Sequence, residues 1–175
     1  MKPNNERQIG GHKEKIYPIF SVTLNPGSQP EIFRDLMLKQ KAIILGTNAM
    51  GSVPERFLPL IRELKNARIP VFLLPDNPGT HHGFIRIVER PQTRTIGAGG
   101  IPLEKANINN HPKVVAAIQE ELDAGKKGDD LAEAIRKRFA YQEGEVRPIS
   151  PLGTEEGFAE HASKVRGRNP DDDMY

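Results

Sequence analysis

Residues 41–75, KAIILGTNAMGSVPERFLPLIRELKNARIPVFLLP, decide the fold. Two uninterrupted apolar runs, AIILG at 42–46 and VFLLP at 71–75, read as strands covered on both faces. A strand with one wet face alternates apolar with polar residues instead. Between the runs, Phe57, Leu58, Ile61 and Leu64 recur at helical spacing and form one apolar stripe. Ser52 and Glu55 have the S-x-x-E spacing of a capping box, which places the helix start near Ser52. Pro59 predicts a kink in that helix. Strand, helix and buried strand joined by short links are the building unit of a parallel sheet.

Reading outward from this unit extends it in both directions. IYPIFSVTL (16–24) predicts a preceding strand, stopped by the turn-forming cluster NPGSQP. Pro30 opens a helix whose Ile32, Phe33, Leu36 and Met37 recur at helical spacing. Downstream, FIRIVER (84–90) alternates as an edge strand or crossing segment does, and TRTIG (93–97) predicts the fourth parallel strand. NHPKVVAAIQEEL (110–122) predicts a helix capped by Asn110 or His111 and stopped by Gly125. DDLAEAIRKRFAYQ (129–142) predicts another, acidic at its start and basic near its end, as the helix dipole prefers. The expected fold is therefore α/β, a three-layer arrangement with a parallel sheet of about four strands flanked by helices. Residues 1–15 read as a polar extension, 16–142 as the domain, and 143–175 as a flexible polar tail rich in Pro, Gly and charge.

Composition narrows the function classes. The 175 residues contain no cysteine, which removes disulfides, thiol nucleophiles and zinc ribbons. No run reaches the length of a membrane span and no apolar leader is visible, so a cytoplasmic chain is expected. With 25 Lys and Arg against 23 Asp and Glu, the balance does not argue for nucleic acid. The cluster IRKRF (135–139) reads as a solvated helix face. No metal is expected: the adjacent His81 and His82 point apart on an extended chain and have no carboxylate to complete a zinc set. Thr80 beside them is too close in sequence for nucleophile and base to meet.

The loop GTNAMGSVPE (46–55) follows a buried strand and precedes a helix, the usual place for a ligand in an α/β protein. It lacks both G-x-G-x-x-G and the Lys-Ser/Thr of a P-loop, so no nucleotide or other cofactor is expected. Asn48 offers a donor and an acceptor, and a helix start favours a carboxylate, which together suit an amino acid or its amide. Asparagine also supports a left-handed turn, and both readings stand. The Ser52 hydroxyl is committed by the capping box if that box forms.

The run FSVTLNPGSQPEIFRDLMLKQKAIILGTNAMGSVPERFLPLIRELKNARIPVFLLP (20–75), followed by GAGGIPLEKANINNHPKVVAAI (97–118), resembles the C-terminal domain of bacterial-type L-asparaginases and related glutaminases. The shared features are a strand ending near Pro-Gly, a helix, and an apolar strand. An Asn-bearing glycine loop, a VP helix start and a strand opened by IPV follow. The resemblance spans about residues 18–122 and implies an asparaginase C-terminal-domain-like, Rossmann-like fold. It implies that Asn48, or Ser52 if the alignment slides, binds substrate, and that Glu89 meets the substrate α-ammonium in a charge-assisted contact. The plainer reading of Glu89 is an exposed strand-end carboxylate beside Arg90.

Departures from the family are equally plain. Its catalytic threonines belong to an N-terminal domain, in TGGTI-like and TDT-like segments that this sequence does not contain. PDNPG replaces the expected serine-containing motif after the third strand, and INNHPKV replaces DMTPEA. The resemblance thus implies a domain contributing substrate binding and subunit contacts to asparagine amidohydrolysis, with no catalytic residue of its own. A separately encoded N-terminal domain is the expected partner, and the apolar surface such a domain would cover favours a homo-oligomer. The alternative is a non-catalytic interaction or amino-acid-sensing module that retains the fold.

Overall fold

The computed structural model describes residues 6–9, 12–25, 27–47, 53–75 and 91–145. Two short strands, β1 (Glu6–Ile9) and β2 (His12–Lys15), pair antiparallel within what the composition marks as a polar extension. The body is a four-stranded parallel sheet of β3 (Ile19–Thr23), β4 (Ala42–Gly46), β5 (Val71–Leu74) and β6 (Gly100–Pro102), in that spatial order. Its helices are α1 (Pro30–Met37), α2 (Leu58–Asn66), α3 (Pro91–Ala98), α4 (His111–Asp123) and α5 (Gly128–Arg138).

Strand order explains the layering. Parallel crossovers are overwhelmingly right-handed, so a sheet that always steps in one direction puts every crossover helix on one face. Met37 of α1, Ile61 and Leu64 of α2 and Ala98 of α3 accordingly share one core with Ile43, Leu45, Val71 and Leu73 of the sheet. The opposite face is left for the chain after β6. There, Val114 and Ile118 of α4 and Leu131 and Ile135 of α5 pack on Ala42, Ile44, Phe72 and Leu74. Alternate residues of β4 and β5 thus feed opposite cores, and all nine residues of the two strands are buried, as their unbroken apolar runs require. Each large aliphatic or aromatic side chain buried this way contributes about 1.5–3 kcal/mol.

Several expectations are corrected. TRTIG (93–97) is not the fourth strand: it lies in α3, and the strand is Gly100–Pro102. Three residues, one of them proline, carry too little alternation to be read, whereas Gly100 fits because a Cβ there would meet Leu73 Cδ1 at 2.9 Å. The helix after β4 opens with a 3-10 turn at Glu55–Phe57, with Pro54 rather than Ser52 in its cap position. Pro59 then falls in the first turn of α2, where its missing N–H costs nothing, so the expected interior kink does not arise. In α1 only Met37 and Phe33 turn inward, while Ile32 and Leu36 are exposed. Asn110 precedes α4 but makes no side-chain cap there; a short 3-10 turn at Ile108–Asn110 carries the capping instead. The last helix ends at Arg138, earlier than the expected 142.

Helix α2 ends in a Schellman closure. Ile69 N–H reaches the Leu64 carbonyl and Arg68 N–H the Lys65 carbonyl, each at 2.9 Å. The closing residue must be left-handed, and here it is Arg68 at φ 56° where glycine is the usual choice. A residue with a Cβ pays about 1 kcal/mol for that conformation.

Candidate functional site at the carboxyl edge of the sheet

Ligands of open α/β sheets gather beyond the carboxyl ends of the strands, where the connecting loops leave. That edge is held together by backbone hydrogen bonds continuing past the strands. Leu24 N–H donates to Gly46 O at 3.2 Å, Thr47 N–H to Leu74 O at 2.9 Å, and Ile108 N–H to Pro75 O at 3.1 Å. The first two bonds join neighbouring strand ends, and the third ties the end of β5 to the 3-10 turn before α4. Gly46 is needed there, because a Cβ would fall 2.5 Å from Thr23 Oγ1 and 3.2 Å from Thr23 Cα. Thr47 is buried at the head of the loop, with Oγ1 3.4 Å from the Leu74 carbonyl.

Asn48 follows Thr47 directly in the chain. Asn48, Ser52 and Glu89 lie outside the described residues, as do Thr80, His81 and His82. The structure fixes the residues that flank these candidates: Thr47 and Val53 on either side of the first loop, both buried, and Pro75 and Pro91 around the second.

Around the rim, the polar groups are engaged with one another. Asn25 Oδ1 accepts from Gly27 N–H at 2.9 Å, and Ser28 Oγ accepts from Asn25 N–H at 3.1 Å, which builds the turn that NPGSQP predicts. Asn107 Oδ1 accepts from Asn109 N–H at 2.8 Å and from Asn110 N–H at 3.3 Å. Asn110 answers by accepting from Asn107 N–H at 2.7 Å and donating to the Lys105 carbonyl at 2.9 Å. This reciprocal cap accounts for Asn107 and for Asn110 of INNHPKV as turn builders.

One contact escaped the sequence reading. Ser21 Oγ on β3 lies 2.7 Å from His111 Nε2 at the start of α4. They are 90 positions apart, and no spacing rule links them. A nucleophilic serine needs its base oriented by a third group. Among the described residues no carboxylate contacts His111, so the pair ties the edge strand to α4. Nearby, Lys105 pairs with Glu145 and sits 5.3 Å from the centre of the Tyr141 ring. The Lys105 hydrogen bond, with a further one from Gln142 N–H, holds the Glu145 carboxyl below the usual carboxylate range.

The described rim thus supplies a hydrogen-bonded frame at the ends of β3, β4 and β5, and the chain runs on from it at Thr47 to Asn48. Two solved enzymes share this architecture. The thermostable L-asparaginase from Thermococcus kodakarensis superposes with a TM-score of 0.54 and 21% identity, covering 71% of this chain and 36% of that one. L-asparaginase I from Vibrio cholerae O1 biovar eltor gives 0.58 and 18%, covering 78% of this chain and 40% of that one. The fold is that of one part of an L-asparaginase. The chain spans well under half the length of these asparaginases, a share in keeping with a C-terminal domain. No family model matches the sequence, and no curated protein matches it either. Among the described residues, no helix is long and apolar enough to cross a membrane.

Proposed function

We propose that this chain acts as an asparaginase-like C-terminal domain, offering substrate-binding groups and subunit contacts to the conversion of L-asparagine and water into L-aspartate and ammonia. The observation that carries the reading is the shared architecture with two L-asparaginases over 71–78% of this chain. Asn48 is the residue proposed to hold the substrate amide or carboxylate, with Ser52 as its neighbour on the same loop. Glu89 is proposed to pair with the α-ammonium. Neither threonine motif of the family occurs in these 175 residues, and the nucleophile is assigned to a threonine-bearing N-terminal domain as partner. The working assembly is a cytoplasmic homo-oligomer, and L-glutamine is a second candidate substrate.

Ammonia release and calorimetric titration on the purified chain test this division of labour. Expected are no ammonia from L-asparagine and a binding heat for L-asparagine, L-aspartate or L-glutamine that disappears in Asn48→Ala. Ammonia release abolished by a single substitution in this chain overturns the proposed absence of a nucleophile. Silence toward all three ligands favours a scaffold that kept the fold and lost the site.

A further inference from the structure

The opposite edge of the sheet, where the strands begin, carries a cavity of about 720 Å³ between the end of α1, the end of α2 and the start of α5. A second cavity of about 560 Å³ adjoins it below α3. Arg68, Ile69, Gly128 and Asp129 line both, so Arg68 stands at their junction. The larger cavity is lined by four cations, Lys39, Lys41, Arg68 and Lys127, against two carboxylates, Asp129 and Asp130. Lys65 adds a further cation in the smaller one, where Glu133 is already paired with Arg136. None of these five cations has a carboxylate partner among the described residues. The two aspartates occupy the first turn of α5, where the helix itself offsets their charge. Four cations against two carboxylates leave the larger cavity with a net positive lining.

Arg68 is held in place by backbone geometry. Its left-handed conformation closes α2, and its stem passes beside Gly128, which is itself at φ 51°. A Cβ on Gly128 would stand 3.3 Å from Arg68 Cβ and 3.9 Å from its Cδ. A glycine in place of Arg68 would close the helix with less strain, so this chain carries a guanidinium at a position whose conformation disfavours a side chain. Leu38, Ala67, Ile69 and Leu122 supply an apolar floor beside the cations.

We propose that this amino-edge cavity binds a phosphate-bearing small molecule, with Arg68 as the forked donor and Lys39, Lys41 and Lys127 as point charges around it. A guanidinium matches two phosphate oxygens at once, and lysines tolerate varied anion positions. A volume of this size suits a compact organic phosphate whose body rests on the apolar floor.

Calorimetry on the full chain with inorganic pyrophosphate and with adenosine diphosphate tests the site. Expected is saturable binding of both, weakened at least tenfold by Arg68→Gly and severalfold by Lys127→Ala, with adenosine diphosphate the tighter because it covers the floor. Arg68→Gly is a fair test because it removes strain, so its thermal midpoint is expected to rise while binding falls. No binding at millimolar pyrophosphate overturns the site. Binding unchanged in Arg68→Gly overturns it equally, since any lysine-rich surface would then suffice.

Discussion

The two edges of the sheet are built from the same four strands yet differ in how their polar groups are used. At the carboxyl edge, Asn25, Ser28, Asn107 and Asn110 are spent on turns, and the charges Glu55 with Arg94 and Lys105 with Glu145 are paired with each other. At the amino edge, Lys39, Lys41, Lys65, Arg68 and Lys127 surround open volume without partners among the described residues. Internally bonded polar groups make a frame, whereas unpaired charge around a cavity asks for a counter-charge from outside. The proposed asparagine site is thus a rigid frame with a functional loop mounted on it, and the proposed phosphate site is formed by the frame itself.

The comparison depends on both edges being held by one sheet, which Phe72→Ala tests most severely. Phe72 is wholly buried at the middle of the sheet, and its loss is expected to cost about 3–5 kcal/mol. Urea unfolding should show both edges lost in a single transition. Damage confined to the carboxyl edge comes next. Gly46→Ala forces a Cβ against Thr23 and is expected to cost about 1–3 kcal/mol. Adding Thr23→Ala should restore part of this, because the 2.5 Å approach to Oγ1 disappears while the 3.2 Å approach to the backbone stays. Pyrophosphate binding by the refolded Gly46→Ala protein should be unchanged.

Arg68→Gly has the opposite sign, stabilising the fold by about 1 kcal/mol in denaturant melts as the left-handed arginine is relieved. The smallest effect concerns acid. Lys105 lowers the Glu145 carboxyl and Arg136 lowers that of Glu133, so each group favours the folded state above the ordinary carboxylate range. That contribution fades as pH falls through the range toward the depressed values. Both carboxylates are at the surface, so Glu145→Gln is expected to flatten the acid limb of the melting profile only slightly.

The core of the fold was legible in the sequence because the central strands are buried on both sides. AIILG and VFLLP are unmistakable in a chain of mean hydropathy -0.54, and β4 covers the quoted five residues. The stripe of Phe57, at the end of the 3-10 turn, with Leu58, Ile61 and Leu64 of α2 is buried throughout for the same reason. The edge strand β6 was misplaced because its three residues lean on Leu73 through the absence of a side chain at Gly100, which leaves no hydrophobic signal. The exposed Ile32 and Leu36 misled in the other direction, since helical spacing marks an apolar face without saying whether anything covers it. Asn48, Ser52 and Glu89 lie outside the described residues, and chain order alone places them in the connections that follow β4 and β5. The Ser21–His111 contact and the amino-edge charge cluster depend on elements brought together by the fold, and neither has a local pattern.

An amide-resolved NMR titration of the chain with L-asparagine is the most direct measurement. The shifts of Thr47 and Val53, which flank the Asn48 loop, should move saturably while Arg68 and Gly128 stay still. Movement at Arg68 and Gly128, or no movement anywhere at saturating ligand, would contradict an amino-acid site at the carboxyl edge.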